Sequence, residues 1–214
     1  MHSVRKGSEP PKLKQVRAKR TKAWVRHYRE GKGDKPTDSD WRRFADELGA
    51  EFSGLCGYCE YGCKGEVDHF RPKSKKPEAV YDWKNWVFAC HDCNHTKSEK
   101  WPRQGYVFPC NPRRGQRPED YFTFDTKTGE IVPRPDLDTR RWNKAKRMSD
   151  DLGLNRHHQL TRRLHWVYLV GEAVTSASGD GARVDDIVRS VTARHFPLSS
   201  ITRVMLRERG IFDG

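Results

Sequence analysis

Residues 56–101 read CGYCEYGCKGEVDHFRPKSKKPEAVYDWKNWVFACHDCNHTKSEKW. Two Cys-x-x-Cys pairs, Cys56/Cys59 and Cys90/Cys93, bracket an Asp68-His69 dipeptide and a lone Asn85. A pair at this spacing lets two thiolates grip one ion from a tight turn, and two pairs complete a tetrahedron of sulfur around Zn²⁺. The stretch between them, residues 60–89, exceeds the gap of a plain zinc ribbon and must hold a small unit of its own. Glu66-Val67-Asp68-His69-Phe70 reads as a short strand stopped by Pro72. Val80–Ala89 reads as a second strand, with Trp83, Trp86, Val87 and Phe88 as its apolar mass. Residues 93–100 read as a short helix in which Asn94 and Lys97 share one face. The expected unit is a ββα fold, hairpin against helix, around a structural zinc. Adjacent residues of a regular strand point to opposite faces, so a site using both Asp68 and His69 asks for a bend or strand end at His69, which the following Arg71-Pro72 suits. Cys63 and Cys110 read as spare thiols, with Cys63 a substitute ligand by its position after Cys59.

The whole chain carries a formal net charge of +13, and 33% of its residues are charged. That balance implies a polyanionic partner, most simply DNA or RNA. The modest aliphatic content predicts small cores supported by a metal rather than one large core. The opening MHSVRKGSEPPKLK lacks the apolar segment of a secretory signal, and paired cysteines fit metal binding in a reducing compartment. The longest apolar candidate, Trp166–Val174, is about half the length of a membrane span. The expectation is a soluble, cytoplasmic protein with no membrane partner.

The flanks divide the chain into a basic N-terminal segment (1–54), the central domain with a following hairpin (55–135) and a helical C-terminal region (136–214). Residues 5–22 hold eight basic side chains against Glu9, and a helix is expected from about Leu13 to Arg29. This segment suits a phosphate backbone or a solvated tail equally. Thr37 or Asp38 is placed to cap a helix over 40–50, whose Trp41, Phe44, Ala45 and Leu48 form a core stripe. Tyr121–Asp125 and Glu130–Val132 flank a turn with Gly129, a hairpin whose aromatics suit core packing better than base stacking. Helices are expected at Thr139–Leu152, ended by Gly153, then Asn155–Ala177, Asp185–His195 and Ser199–Glu208. The second should pack through Leu160, Leu164, Val167 and Tyr168. Basic residues along these helices suit DNA, an acidic partner or solvent.

The central stretch resembles the HNH nuclease family through Val67-Asp68-His69, Asn85 and Cys90-His91-Asp92-Cys93-Asn94-His95-Thr96-Lys97, in order on a four-Cys scaffold. The resemblance covers residues 55–101 and implies an α+β protein with a ββα-metal core. It further implies that Asp68 and Asn94 hold a catalytic divalent ion, that His69 is the general base, and that Asn85 orients the base by holding the facing loop. This copy has Asp and Asn where other members have His, which favours oxygen-seeking Mg²⁺ or Mn²⁺. Neutral imidazole accepts a proton near pH 7, which is what activating a water requires. Arg71, Lys73 and Lys97 are candidates for holding phosphates. His91 and His95 read as bystanders, with His95 a reserve ligand.

A longer resemblance rests on Lys6-Gly7-Ser8-Glu9-Pro10-Pro11, on Asp68-His69-Phe70-Arg71-Pro72-Lys73-Ser74 and on Leu152-Gly153-Leu154-Asn155-Arg156. These runs are similar to the PtuB-like HNH subunits of Septu antiphage systems and of some retron systems. That likeness implies a bacterial defence nuclease working with a separate ABC/SMC-like (PtuA-like) ATPase, since this chain has no nucleotide-binding loop. The expected function is therefore a DNA endonuclease. Its rivals are a non-catalytic zinc-dependent DNA-binding module, an RNA-directed nuclease and a purely structural subunit.

Overall fold

Proline at position 11 has no backbone N–H to leave unpaired, so it opens a helix without loss. In the computed structural model, which describes residues 1–37 and 39–213, α1 runs Pro11–Glu30 and stops at Gly31 in the left-handed region. Its sparse apolar face buries Leu13 and Trp24 and half-buries Val16 and Tyr28, leaving most basic side chains to solvent. Of the two expected caps for the next helix, Asp38 lies outside the described residues. The helix expected over 40–50 is split into a 3-10 turn, Asp40–Phe44, and α2, Ala45–Glu51, preceded by Ser39 without a side-chain cap. Trp41, Phe44 and Leu48 are nevertheless buried, because the tighter turn preserves their common side.

The central hairpin pairs β1, Glu66–His69, antiparallel with β2, Trp86–Ala89, with Asp68 opposite Val87 and His69 opposite Trp86. The second strand is shorter than expected. Asp82 accepts a hydrogen bond from the Lys84 backbone N–H, turning residues Trp83–Asn85 into a 3-10 segment, and Pro77–Ala79 forms another. The polar residues that interrupt the apolar run are therefore turn formers. Every residue of β2 is buried, whereas β1 keeps one edge free. α3 spans His91–Lys97, two residues earlier than expected, and packs on β1.

A second hairpin joins β3, Phe122–Phe124, to β4, Ile131–Pro133, through Gly129 at φ 75. Phe122, Phe124 and Ile131 are buried, so the aromatics serve the core. Helices α4 (Thr139–Leu152), α5 (His157–Ser176), α6 (Gly181–Thr192) and α7 (Ser199–Glu208) follow. Asp138 and Asp180 cap α4 and α6 by accepting from the Arg141 and Arg183 N–H groups. The apolar face expected for α5 is not the one it buries. Tyr168 is 62% exposed and Leu164 36%, while Arg163, Val170, Gly171 and Val174 face inward. Val170 and Val174 meet Val191, Met205 and Leu206 from α6 and α7. Arg163 is buried because carbonyls of Gly129 and Leu154 accept from its guanidinium at 2.8 and 2.6 Å.

The expectation of small, separate cores is also corrected. One apolar cluster runs from Met1 through both hairpins to Ile201, with a lesser cluster among α5, α6 and α7. Aromatic rings supply the volume that the few aliphatic residues do not. Even the N-terminal segment joins it. Val4 bridges Cys110, and Lys6 is buried with Nζ donating to the carbonyls of Trp83 and Trp86.

Candidate active site and metal centre

The two cysteine pairs converge. Cys56 and Cys59 lie in the turn before β1, Cys90 precedes α3, and Cys93 lies within it. Their four Sγ atoms all lie within 4.8 Å of one another, and none is in a disulfide. Three are buried and Cys90 is half-buried. The first turn is pressed against β2: the Gly57 N–H donates to the Phe88 carbonyl at 2.8 Å, and a Cβ at Gly57 would come within 2.6 Å of the Phe52 ring. Only glycine allows that approach. Four sulfurs and no oxygen or nitrogen donor suit Zn²⁺ in a closed structural site. Hydrogen bonds from its neighbours hold the Cys90 thiol well below its ordinary range, while burial pushes Cys56 up. Cys63 stands outside the cluster; burial pushes both it and Cys110 up to about 12, so each is an ordinary thiol near pH 7.

Beside this centre lies a cleft of about 700 Å³ that follows the free edge of β1. Trp41, Arg42, Lys73, His91 and Asn94 line it. Asp68 and His69 both line it, and β1 ends at His69, the strand end that a site using both residues requires. They lie on opposite faces of the strand, and the cleft spans the edge between them. His69 packs edge-on against Trp41, at 5.0 Å between ring centroids, and its Nε2 lies 2.8 Å from the Val80 carbonyl. A carbonyl only accepts, so Nε2 carries the proton and Nδ1 keeps its lone pair. Burial, reinforced by Lys73, lowers the pKa of His69 to about 3.

Asn85 is buried and clamps the loops around this ring. Its Oδ1 accepts from the Arg71 N–H at 3.0 Å, and its Nδ2 donates to the carbonyls of Arg71 and Ala79 at 3.1 and 3.2 Å. Ala79 directly precedes Val80, so Asn85 steadies the segment that carries the Val80 carbonyl, which also accepts from Trp86 Nε1 at 2.8 Å.

Asp68 is 3% exposed, and both of its oxygens are engaged. Oδ1 accepts from Lys97 Nζ at 2.8 Å and Oδ2 from the Tyr58 hydroxyl at 2.5 Å. Lys97 also donates to the His69 carbonyl at 2.8 Å and is itself fully buried. Asn94 donates from Nδ2 to Glu66 at 2.6 Å, leaving its Oδ1 free of that contact. Glu66 also meets His91 Nδ1 at 2.9 Å. Partial burial pushes the Glu66 carboxyl up, but hydrogen bonds from His91 and Asn94 outweigh it and hold the group below its ordinary range.

The expected phosphate contacts separate. Lys73 lines the cleft, its ammonium over the rings of Trp41 and Trp24 at 4.5 and 5.2 Å. Arg71 is exposed and lies over Trp101 instead, outside the residues lining the cleft. Lys97 is committed to Asp68 beneath the surface. Arg42, Glu66 and Tyr58 join the site without having been singled out by sequence. Only Tyr58, placed between two zinc ligands, carried a local hint. His95 stacks on His91 at 5.6 Å and stands apart from the cysteine cluster.

Residues 56–100 match the HNH endonuclease family. This stretch is an HNH endonuclease domain. No curated protein matches the chain. Within the HNH domain, the match starts at the first cysteine of the four-Cys cluster and ends just beyond α3, so it spans the ββα core, that cluster and the β1 and α3 side chains of the cleft, while Trp41, Arg42 and Ala45 join the lining from outside it. The N- and C-terminal helices lie outside it. Among the described residues, no helix is long and apolar enough to cross a membrane.

Proposed function

We propose that the HNH domain hydrolyses phosphodiester bonds of DNA with the help of one divalent cation. The observation that carries this reading is the commitment of His69 Nε2–H to the Val80 carbonyl, in a cleft shared with Asp68 and Asn94. It leaves Nδ1 as the nitrogen available to a water molecule. That nitrogen takes the water's proton as the water oxygen bonds to phosphorus and the bond to the leaving sugar oxygen breaks. Burial, the leading cause of its pKa of about 3, makes this a weak base, and an arriving phosphate offsets only the smaller lowering that comes from Lys73. The Val80 carbonyl keeps the ring from rotating during the transfer, and Asn85 supports it by holding the facing loop at Ala79 and Arg71. Lys73 and Arg42, which line the same cleft, supply the positive charge that meets the phosphate oxygens.

Asp68 and Asn94 both line the cleft, and their side-chain oxygens suit a hard cation such as Mg²⁺ or Mn²⁺. When bound, such an ion supplies charge neutralisation at the phosphate and at the leaving oxygen. Asp68 retains acceptor capacity for it, because an ionised carboxylate offers about four lone-pair sites. The role of Lys97 in this reading is to hold Asp68 rather than a phosphate.

The short runs shared with PtuB-like proteins support a narrower version of the proposal. In it, the chain is the cytoplasmic effector nuclease of a bacterial antiphage complex and works with an ATPase subunit supplied separately. The competing reading is a non-catalytic DNA-binding module, favoured by the engagement of both Asp68 oxygens.

Plasmid and single-strand cleavage with Mg²⁺ or Mn²⁺ tests the proposal, with RNA as a parallel substrate. Wild-type cleavage lost both in EDTA and in His69→Ala is the expected result. DNA binding without cleavage by the zinc-loaded protein, alone and with an ATPase partner, would leave the binding module. Preferential RNA cleavage would redirect the substrate class.

A further inference from the structure

Tyr58 stands between Cys56 and Cys59 in the first zinc-binding turn and is 1% exposed. A phenylalanine would fill the same space without a polar atom to satisfy. The buried hydroxyl requires a partner, and its partner is Asp68 Oδ2 at 2.5 Å. The carboxylate torsion of aspartate is broad, so one hydrogen bond leaves a wide range of orientations. Here two donors from two elements hold one oxygen each: Tyr58 from the cysteine turn and Lys97 from α3. Together they fix the plane of the carboxylate. The backbone of Tyr58 is in turn fixed by ligands on both sides and by the close packing of Gly57 on β2.

We propose that Tyr58 is a positioning residue that ties the four-Cys centre to the carboxylate holding the catalytic cation. The inference rests on the reading of Asp68 as a ligand of that cation. It makes the geometry of the first cysteine turn a determinant of cation affinity in the cleft. The two metal sites then form a coupled pair, in which filling the sulfur site prepares the oxygen site.

The test uses zinc-loaded full-length protein and Mn²⁺ as the probe, with binding followed by calorimetry and cleavage followed in parallel. In Tyr58→Phe, zinc content stays at the wild-type value. Mn²⁺ affinity falls about tenfold, the usual scale for losing a hydrogen-bonding support of a metal ligand. The Mn²⁺ concentration giving half-maximal cleavage rises by the same factor, and saturating Mn²⁺ restores most of the rate. A merely structural tyrosine would alter melting or zinc content and leave Mn²⁺ affinity unchanged, and that result would overturn the proposal. Should Tyr58→Phe lose zinc, difluorotyrosine at position 58 decides the matter. It keeps the hydroxyl and nearly the same volume while strengthening the donor, so an unchanged Mn²⁺ affinity would again overturn the proposal. Asp68→Ala separates the two levels. Wild-type Mn²⁺ binding in Asp68→Ala removes the ligand reading itself. Lost binding in Asp68→Ala with unchanged binding in Tyr58→Phe removes only the role of Tyr58.

Discussion

Lys97 and Asp68 form a fully buried ion pair, Nζ to Oδ1 at 2.8 Å, where α3 packs on β1. It joins two of the three elements of the ββα unit beneath the cleft floor. Its Coulomb attraction is offset in large part by the desolvation of both ions, so its main effect is to make either partner costly to remove alone.

Lys97→Met is therefore expected to destabilise the zinc-loaded protein by about 3–5 kcal/mol, because it leaves a buried carboxylate unpaired. The double variant Asp68→Asn with Lys97→Met should recover most of that loss. Urea denaturation measures both. A single-variant loss below about 1 kcal/mol would show that water reaches Asp68.

His69 gives the fold a definite acid sensitivity. Its folded pKa of about 3 lies below the ordinary value of 6.5, so the unfolded chain takes up a proton first as pH falls. The stability tied to its neutral form is fully present above about pH 6.5 and is lost progressively as pH falls toward 3. Between pH 7.5 and pH 5 the wild type should lose about 2 kcal/mol more than His69→Gln, with zinc retention verified at each pH. Parallel pH profiles for the two proteins would contradict the burial of this ring.

Glu66 should matter through Asn94. Its carboxylate accepts from Asn94 Nδ2 and thereby sets which end of the amide is free. Glu66→Ala is expected to raise the Mn²⁺ concentration needed for half-maximal cleavage about tenfold, since the amide loses its orienting partner. A stronger Mn²⁺ response in Glu66→Ala would mean instead that Glu66 holds Asn94 away from the ion.

Lys73 lines the cleft together with Arg42. Replacing Lys73 by alanine should reduce the slope of log affinity against log salt for duplex DNA by about 0.9, the value for one lost phosphate contact. Arg71→Ala, which removes a side chain outside the cleft lining, should change that slope less. Equal effects of the two would place the DNA elsewhere on the basic surface.

The four-Cys cluster belongs to the fold as well as to the site. Cys90→Ser is expected to release the metal and lower the melting temperature sharply, because the four sulfurs sit inside the main apolar cluster. An unchanged melting curve after stoichiometric zinc loss would refute this.

Much of the architecture was legible in the chain because its signals are local. Cys-x-x-Cys spacing, Gly153 as a helix stop and Gly129 in a turn each act within a few residues. The reading of Val80–Ala89 as one strand failed because the side chain of Asp82 competes for the backbone just ahead of Trp86. The expected face of α5 failed for a different reason. Trp166, Val167, Leu169 and Val170 supply apolar residues around much of the helix, so periodicity alone does not select a side. The positions of α6 and α7 select it.

Sequence by itself determined the donor sets: four sulfurs at zinc spacing, an Asp-His pair on a short strand, and an asparagine on the following helix. Those follow from residue type and separation along the chain. Tertiary structure decided which cation serves which anion. Lys73 and Lys97 are both near the Asp68-His69 pair in composition and motif, yet one lines the cleft and the other lies under it. A lysine head sits at the end of four flexible carbons, and its place is set by whichever buried acceptors the packing brings within reach. For Lys97 those are Asp68 Oδ1 and the His69 carbonyl. The link from Tyr58 to Asp68 is of the same kind: its distance is a property of the folded zinc-binding turn, and no spacing rule in the chain encodes it.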